Sequence, residues 1–342
     1  MNYLIYDKNG VLQGILQNTT SIQWHPKYWN SGSAEIHARP TADNVKYLVK
    51  FNRVVCKERG EILFINYVQR GTSDEMTIHG RLDNLDQRIN TQTASITNVE
   101  AGLFWLVESN KRGLDINLAP KKGLKDKIDR TETTYRNLSE SFETYCQAAK
   151  LGWREVMKDG KLNTLEIYKG EKKTGMRFSD DLGNILSQKY TQNLENAKNY
   201  AYVLGEDTGD SRAKVEVDIR SAGDPRLELY VDARDLQSEY KDADGNDQTY
   251  TTEEYAAMLR TRGKAKLAEA NADVFTFDCE LNPEDTIAIL GKDYDLGDIV
   301  PVISRLFGIV VFARIVGIKF VEESNQGTKT TLELYIESQE DL

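Results

Sequence analysis

The C-terminal part of the chain alternates short apolar runs with polar turns, a pattern typical of antiparallel β-structure. Three runs in which valine and isoleucine are concentrated are Ile299–Ile303, Gly308–Phe320 and Thr330–Ile336. β-branched residues favour extended backbone, and the polar stretch Glu322–Gly327 has the composition of a hairpin turn. We therefore predict a closed or strongly curved antiparallel sheet in this part of the chain.

A similar but less regular β-pattern occupies residues 1–90. Asn9 and Gly10 separate the apolar runs Tyr3–Tyr6 and Val11–Leu16, and an Asn-Gly pair favours the left-handed backbone of a tight hairpin turn. Further short strands follow from the same alternation. Two β-units without a recognisable chemical motif favour a protein that assembles over one that catalyses.

Three helices are predicted where the hydrophobic period changes from that of a strand to that of a helix. Each begins with a capping pair, in which a side chain at the helix start and a glutamate three residues later satisfy free backbone N–H groups. These pairs are Thr97 with Glu100, Asn137 with Glu140, and Thr251 with Glu254. Gly152 is interpreted as the stop of the second helix, and Thr41 as the N-cap of a short helix inside the first β-unit.

The length of the chain limits the number of domains, and its charge limits the kinds of partner. At 342 residues the chain is long enough for roughly two to four domains. Its 44 basic residues are scattered among 54 acidic ones, and the formal net charge is −10. Because nucleic-acid binding depends on clustered Lys and Arg, we expect no specific binding to nucleic acid.

The cysteine positions and the N-terminal sequence argue against a disulfide or metal-thiolate scaffold and against a membrane-anchored protein. Cys56, Cys146 and Cys279 are far apart in the sequence, which predicts buried, reduced thiols and neither a disulfide framework nor a thiolate metal site. The apolar run at Tyr3–Tyr6 is too short for a signal peptide or a membrane anchor. We therefore expect no membrane anchor.

Motifs for common enzyme chemistry are absent from the sequence. There is no GxxxxGK[ST], GxSxG or HExxH, and no GxGxxG that opens a helix. We interpret His25, His37 and His79 as ordinary strand or turn residues, because no carboxylate or cysteine recurs beside them at ligand spacing. The adjacent carboxylates that we interpret as solvated turn residues are Asp180-Asp181 and Glu322-Glu323. We predict no catalytic residue and no cofactor.

One loop approaches the pattern of a calcium site. Oxygen ligands at Asp242, Asp244 and Asn246, followed by Glu253 at the twelfth position, match part of an EF-hand loop. The sharp-turn glycine of such a loop is its sixth residue, whereas here the glycine is the fourth. A plain Asp-Gly turn between two strands explains the segment more simply, so we predict no metal site.

Aromatic residues cluster around Pro26. Trp24, Tyr28 and Trp29 have the composition of a surface that stacks on a sugar or on a partner. Packing at the rim of a barrel explains the same cluster, and we favour that interpretation.

The ordered set of segments resembles the siphovirus and prophage tail-hub family, virion proteins built on the baseplate-hub fold. The stretches that carry the resemblance are YDKNGVLQGIL, IQWHPKYWNSGSAEIHARP, YRNLSESFETYCQAAKLGWR, NAKNYAYVLGE, RLELYVDARD, EEYAAMLRTRGKAKLAE and YDLGDIVPV. Each is a structural pattern, and the specificity comes from finding all of them in one order.

The resemblance implies a β-rich α+β fold with two β-barrel-like tube domains and two α+β domains outside them. The tube domains are expected at 1–95 and at 175–235 plus 275–342, the larger α+β domain at 96–174 and the small helix-containing insertion at 236–274. Tail hubs of this family are homotrimers whose six barrels meet the sixfold tail tube.

The implied location is the virion tail, after synthesis in the cytoplasm of a bacterial host. Expected partners are the distal tail protein, the tape-measure protein and the fibre or receptor-binding proteins. The dispersed basic residues suit a lumen through which DNA passes without being bound. The alternatives are a tail-associated endopeptidase or peptidoglycan hydrolase, and a module that binds a host glycan through Trp24, Tyr28 and Trp29.

Overall fold

The β-periodic segments from the two ends of the chain meet in a single large sheet. The computed structural model describes residues 1–72, 74–133, 135–241, 247–271, 275–282, 285, 288–324 and 326–337. The chain divides into a larger unit, Met1–Tyr190 with Phe277–Leu342, and a smaller unit, Thr191–Thr276. Each unit has its own hydrophobic core.

The larger unit begins with antiparallel strands and one short helix. These elements are β1 (Tyr3–Tyr6), β2 (Leu12–Ile15), β3 (Thr19–His25), β4 (Ser33–Ala38), α1 (Ala42–Tyr47), β5 (Arg53–Cys56), β6 (Ile62–Arg70) and β7 (Met76–Arg81). The strands lie in the order β2-β1-β5-β6-β7-β4-β3. Thr41 caps α1 as predicted, because its side chain accepts a hydrogen bond from the backbone N–H of Asn44.

An α+β region follows in the same unit. Its elements are β8 (Ala94–Asn98), α2 (Val99–Asn110), β9 (Asn117–Leu118), β10 (Lys127–Thr133), α3 (Leu138–Ala148), β11 (Gly152–Lys158) and β12 (Lys161–Tyr168). β8 pairs with β10, and β12 lies between β11 and β9. Asn137 caps α3 as predicted, whereas α2 is capped by Asn98, one residue after the predicted Thr97. The Glu100 carboxylate instead accepts backbone N–H groups of residues 122–124.

The smaller unit is built around one helix. β13 (Phe178–Ser179) and β14 (Ile185–Gln192) precede its elements, which are β15 (Tyr200–Leu204), β16 (Lys214–Asp218), β17 (Glu228–Asp232), β18 (Glu239–Lys241), β19 (Asp247–Thr249) and α4 (Thr252–Ala270). Three of these strands form a sheet in the order β16-β15-β17. The capping box that begins α4 is the predicted one, Thr251 with Glu254. Over the ranges described, the chain has no helix with the length and apolar character needed to cross a membrane.

The last strands complete the large sheet. They are β20 (Phe275–Leu281), β21 (Ile299–Ser304), β22 (Ile309–Glu323) and β23 (Thr328–Ile336). The strand order continues as β14-β20-β23-β22-β3, with β21 beside β22 and β13 beside β21. The 15-residue β22 pairs with β3, so that Phe320 lies opposite Trp24 and Glu323 opposite Ser21. One 13-stranded sheet therefore contains strands from both predicted β-units.

The predicted β-rich α+β class with a large antiparallel sheet is confirmed, but strand pairing among the described residues closes no barrel. The division of the chain also differs from the expected domains 175–235 plus 275–342 and 236–274. β15, β16 and β17 lie with α4 in the smaller unit because Val203 and Val217 pack against α4 at Gly263, where an added β-carbon would be 2.7 Å from each. Strand periodicity does not reveal which sheet a strand joins. The sequence therefore could not show that these strands belong to the smaller unit and not to the large sheet.

A polar cluster lies between the first strands and the α+β region, in which Arg53, Asn163 and Glu155 are buried and Asp115 is exposed. The Arg53 guanidinium donates to Asp115 Oδ2 at 3.0 Å, and the Asn163 side-chain amide donates to the same oxygen at 2.7 Å. Glu155 Oε2 accepts the backbone N–H of Asn84 at 2.9 Å. Glu155 Oε1, and Nε and Nη1 of Arg53, have no hydrogen-bond partner in the part of the chain that the structure describes. Charge in this cluster is therefore only partly compensated.

Burial raises the pKa of Glu155 well above its usual range. The Asn84 N–H and Arg53 oppose this shift, while Asp83 and Asp115 add to it. The folded protein therefore retains a proton on Glu155 over an interval of pH in which the unfolded chain has released it. Because the folded state binds more protons there, its stability falls as the pH rises through that interval.

We predict that Glu155→Gln removes this contribution to the pH dependence, since the amide replaces a protonated carboxyl of similar shape. As the pH rises above 4.5, the ordinary pKa of a glutamate, the wild type loses stability relative to the variant. The loss is up to about 1.4 kcal/mol for each pH unit within the interval. Urea unfolding at a series of pH values measures the difference.

Glu108→Gln is the matched control, because Glu108 is a half-exposed helix residue whose partner is Lys111 on the surface. The control should follow the wild-type profile. Parallel pH profiles for the wild type and Glu155→Gln would contradict the retained proton.

Candidate functional site: an aromatic junction at Tyr28

The aromatic residues around Pro26 are buried where the chain leaves β3. Trp24 and Tyr28 are fully buried, and Trp29 is partly buried. The Tyr28 backbone N–H donates to Val316 O at 2.9 Å, which holds this segment against β22. Trp24 and Tyr28 are thus inaccessible to a sugar, so the glycan interpretation fails for these two residues. They pack in the core of the larger unit, as the packing interpretation expects, but no closed barrel whose rim they could form is found among the described residues.

Tyr28 connects the first strands to two later segments of the chain. Its hydroxyl donates to Lys150 O at 3.1 Å and accepts the backbone N–H of Gly170 at 3.1 Å. Its carbonyl accepts the backbone N–H of Trp153, in β11, at 3.2 Å. Burial raises the pKa of Tyr28 to about 12, so the hydroxyl stays protonated and continues to donate at neutral pH.

Two glycines allow the Tyr28 ring to fit. A β-carbon at Gly152 would lie 2.2 Å from Cε2 of the ring, and one at Gly297 would lie at the same distance. Gly297 also has a φ of +96°, a conformation that favours glycine. Sequence reasoning interpreted Gly152 as a helix stop, because no local signal distinguishes a glycine that ends a helix from one that contacts a ring.

A buried ion pair lies beside the ring. Arg314 Nε donates to Glu337 Oε1 at 2.5 Å, and its Nη1 donates to Gly297 O at 3.0 Å. Lys150 Nζ is 3.3 Å from Glu337 Oε2. One buried carboxylate therefore connects the C-terminal strands to the α+β region. Sequence reasoning missed this pair, although an arginine inside the apolar run of β22 was a signal that could have found it.

A second polar chain starts at Trp24. Its indole N–H donates to Glu61 Oε2 at 2.8 Å, and the other oxygen of Glu61 accepts Arg59 Nε at 2.9 Å. Arg59 also reaches Asp295 Oδ1 at 3.3 Å and lies over the Phe320 ring, 5.3 Å from its centroid. These contacts join the N-terminal strands to the C-terminal ones.

The three histidines lie at separate places and make ordinary contacts. Their partners are Glu333 for His25, Glu35 and Glu75 for His37, and the Tyr67 ring for His79. Burial opposes the charged form of His37, but hydrogen bonds to Glu35 and Glu75 raise its pKa overall. Among the residues that the structure describes, no three His, Cys, Asp or Glu side chains are grouped so as to hold a metal ion.

The remaining carboxylate candidates are also dispersed. Asp242, Asp244 and Asn246 of the calcium-like loop lie outside the described residues, while Glu253 forms an exposed ion pair with Arg260 at 2.8 Å. The two pairs of adjacent carboxylates each bind a segment that is distant in sequence. Asp180 accepts the backbone N–H groups of Arg305 and Leu306, and Asp181 forms an ion pair with Arg305. Glu322 accepts a hydrogen bond from the Tyr3 hydroxyl, and Glu323 accepts one from the Ser21 hydroxyl.

We predict that Gly152→Ala destabilises the protein by about 1–3 kcal/mol, because the new methyl group overlaps the Tyr28 ring. In a Tyr28→Ala background the same substitution should cost less, since of these close contacts only the one to Tyr168 Cζ, at 2.9 Å, remains. Urea unfolding of the four members of this double-mutant cycle measures the coupling. Gly175→Ala, where a β-carbon meets nothing within 4 Å, is the control. An equal cost of Gly152→Ala in both backgrounds would show that the ring is not the cause.

Comparison with known proteins shows which proteins have a similar sequence or a similar fold. A sequence model of the family described as Siphovirus ReqiPepy6 Gp37-like protein matches residues 107–334, more than half of the chain. The comparison with curated protein sequences gives no match.

Among solved structures, similar folds occur in prophage and bacterial tail proteins. The 43 kDa tail protein of prophage MuSo2 from Shewanella oneidensis has a TM-score of 0.67 at 11% identity, with 98% of each chain covered. A tail protein from Neisseria meningitidis MC58 has a TM-score of 0.62 at 14% identity, with 98% of this chain and 97% of that chain covered. Prophage tail protein gp18 from Listeria monocytogenes EGD-e has a TM-score of 0.54 at 14% identity, with coverage of 99% and 96%.

The resemblance to siphovirus and prophage tail proteins that the sequence predicts is confirmed by these matches. The chain belongs to the Siphovirus ReqiPepy6 Gp37-like protein family, and its fold is that of tail proteins, which are components of the virion.

Proposed function

We propose that the protein is a structural component of the phage tail, and that three copies form the hub ring at the distal end of the tail tube. Membership of the siphovirus family and the fold of tail proteins support the tail role. The single observation that carries the proposal of a ring is that one chain contains two groups of strands, joined edge to edge through β3 and β22.

The chain connections support closure of each strand group. In the first group the end strands are β2 and β3, which only residues 16–18 separate in the sequence; in the second they are β13 and β14, which residues 180–184 separate. The Tyr3 and Trp24 rings are 5.3 Å apart, which brings β1 close to β3. Two barrel-like tube domains in each of three copies would supply six positions, as the sixfold tail tube requires.

The ring so formed contacts the distal tail protein, the tape-measure protein and the fibre or receptor-binding proteins. Its lumen passes DNA. The net charge of −10, with basic residues dispersed, supports a passage that does not retain the phosphate backbone. The dispersed histidines and carboxylates give no support to the alternative of a tail-associated endopeptidase or peptidoglycan hydrolase.

The test is co-expression with the neighbouring tail proteins, followed by native mass spectrometry and electron microscopy. We expect complexes with three copies of this chain and a threefold ring around an open channel. Complexes of another symmetry, or a channel with a strongly positive surface, would contradict the proposal. Clearing of purified cell walls by this chain in a zymogram would favour the hydrolase instead.

A further inference from the structure

Four buried side chains around Asp115 keep polar atoms that bond to nothing else in the described part of the chain. These atoms are Nε and Nη1 of Arg53, Oε1 of Glu155, and Oδ1 of Asn84 and of Asn163. All four residues are at most 6% exposed. Because a buried polar atom without a partner is costly, native proteins satisfy most such atoms with protein groups or with ordered water. Their concentration in one place therefore points to a binding site.

The hydrogen bonds that these side chains do form hold them together. Asp115 Oδ2 accepts Arg53 Nη2 at 3.0 Å and the Asn163 amide at 2.7 Å, and the Asp115 backbone oxygen accepts the Asn84 amide at 3.2 Å. Glu155 joins them because its Oε2 accepts the Asn84 backbone N–H at 2.9 Å. Since each asparagine donates its amide nitrogen to an oxygen that can only accept, the free atom of each is an acceptor oxygen.

The unpartnered donors and acceptors of this cluster do not bond to one another. Arg53 lies close enough to Glu155 to act on its charge, yet in the described chain Arg53 forms its ion pair with Asp115 and none directly with Glu155. There is room for an atom beside Nη1, because an added β-carbon at Gly10 would lie 4.0 Å from it and 3.4 Å from Leu162 Cδ1. Polar groups separated by more than one hydrogen bond are commonly joined by water.

The charges at the site distinguish water from an ion. An anion would be attracted by Arg53 but repelled by Asp83 and Asp115, which lie near Glu155. A cation would match the free acceptor oxygens but would be repelled by the free N–H groups of Arg53. Water accepts from the guanidinium and donates to the oxygens. It also matches Glu155 with or without a proton, because water can accept from a carboxyl and donate to a carboxylate.

We propose that this cluster is an internal water site, in which water bridges the Arg53 guanidinium to Oε1 of Glu155. The free oxygens of Asn84 and Asn163 accept further hydrogen bonds from water there, so the site offers the two to four polar partners that buried water needs. Arg53 is in β5 and Glu155 in β11, so the bridge connects the first strands to the α+β region. The site belongs to each folded copy and does not depend on the proposed ring.

Crystals of the full chain test the site directly, in three forms: native, soaked in sodium bromide, and soaked in rubidium chloride. We expect water density within about 2.7–3.2 Å of Glu155 Oε1 and of Nε or Nη1 of Arg53. No anomalous signal from bromide or rubidium should coincide with it. An anomalous peak at this place would show a bound ion and overturn the proposal. Direct hydrogen bonds between Arg53 and Glu155, with no density between them, would also overturn it.

Oxygen-17 magnetic relaxation dispersion of water tests the bridge in solution. Glu155→Leu removes one end of the bridge, so the dispersion amplitude should fall by the contribution of at least one long-lived water. Glu155→Gln is the matched control, because its amide can still donate to and accept from water, and it should keep the wild-type amplitude. An unchanged amplitude in Glu155→Leu, with folding checked by circular dichroism, would overturn the bridge. If Glu155→Leu does not fold, the crystals of the wild type decide.

Discussion

The pairing of β22 with β3 is the contact on which the rest of the architecture depends. β22 is long enough to pair with β21 near its start and with β3 near its end, while β23 lies along its other side. It therefore belongs to both strand groups at once. Residues close to opposite ends of the sequence meet here, and closing so long a loop costs entropy that local contacts do not repay. Burial of Trp24 and Phe320 across the pairing offsets that cost.

A steric constraint at Tyr28 fixes how the α+β region attaches to this sheet. The ring occupies space that only glycine leaves open at Gly152 and Gly297, so a small lateral shift of either segment would produce overlap. The hydroxyl and the nearby Arg314–Glu337 pair then satisfy the polar groups that this close approach buries. Close packing sets the position, and the hydrogen bonds remove the penalty of burying polar atoms there.

The parts of this fold that depend on local chemistry could be predicted from the sequence. Thr41, Asn137 and Thr251 cap helices because their side chains bond to N–H groups a few residues away, and such contacts are visible in sequence spacing. The cap of α2 was missed by one residue because Glu100 bonds to the distant residues 122–124 instead. The start of α2 therefore depends on tertiary contacts, which cannot be read from the spacing of residues in the sequence.

Most contacts of the Tyr28 junction could not be predicted from local sequence patterns, because they too join residues that are distant in the sequence. The aromatic cluster near Pro26 was recognised, and its packing interpretation was favoured, but its glycine partners could not be inferred, and Arg314 within an apolar run signalled a buried charge without identifying Glu337 as its partner. Glu155 is a further case, since it lies in β11 and only the fold brings Asp83 and Asp115 near it. Partners distant in sequence carry no signal in a single chain.

Buried charge and exposed apolar surface are distributed in opposite ways in the larger unit. Ion pairs such as Arg59 with Glu61 and Arg314 with Glu337 lie inside, where segments of one chain meet. Buried pairs contribute little net stability, yet breaking one is costly, so they favour one arrangement of the segments over others. Exposed apolar side chains such as Leu12 and Ile15 lie on the surface instead. Such surfaces gain free energy when they are covered, which suits contacts that form only after each chain has folded.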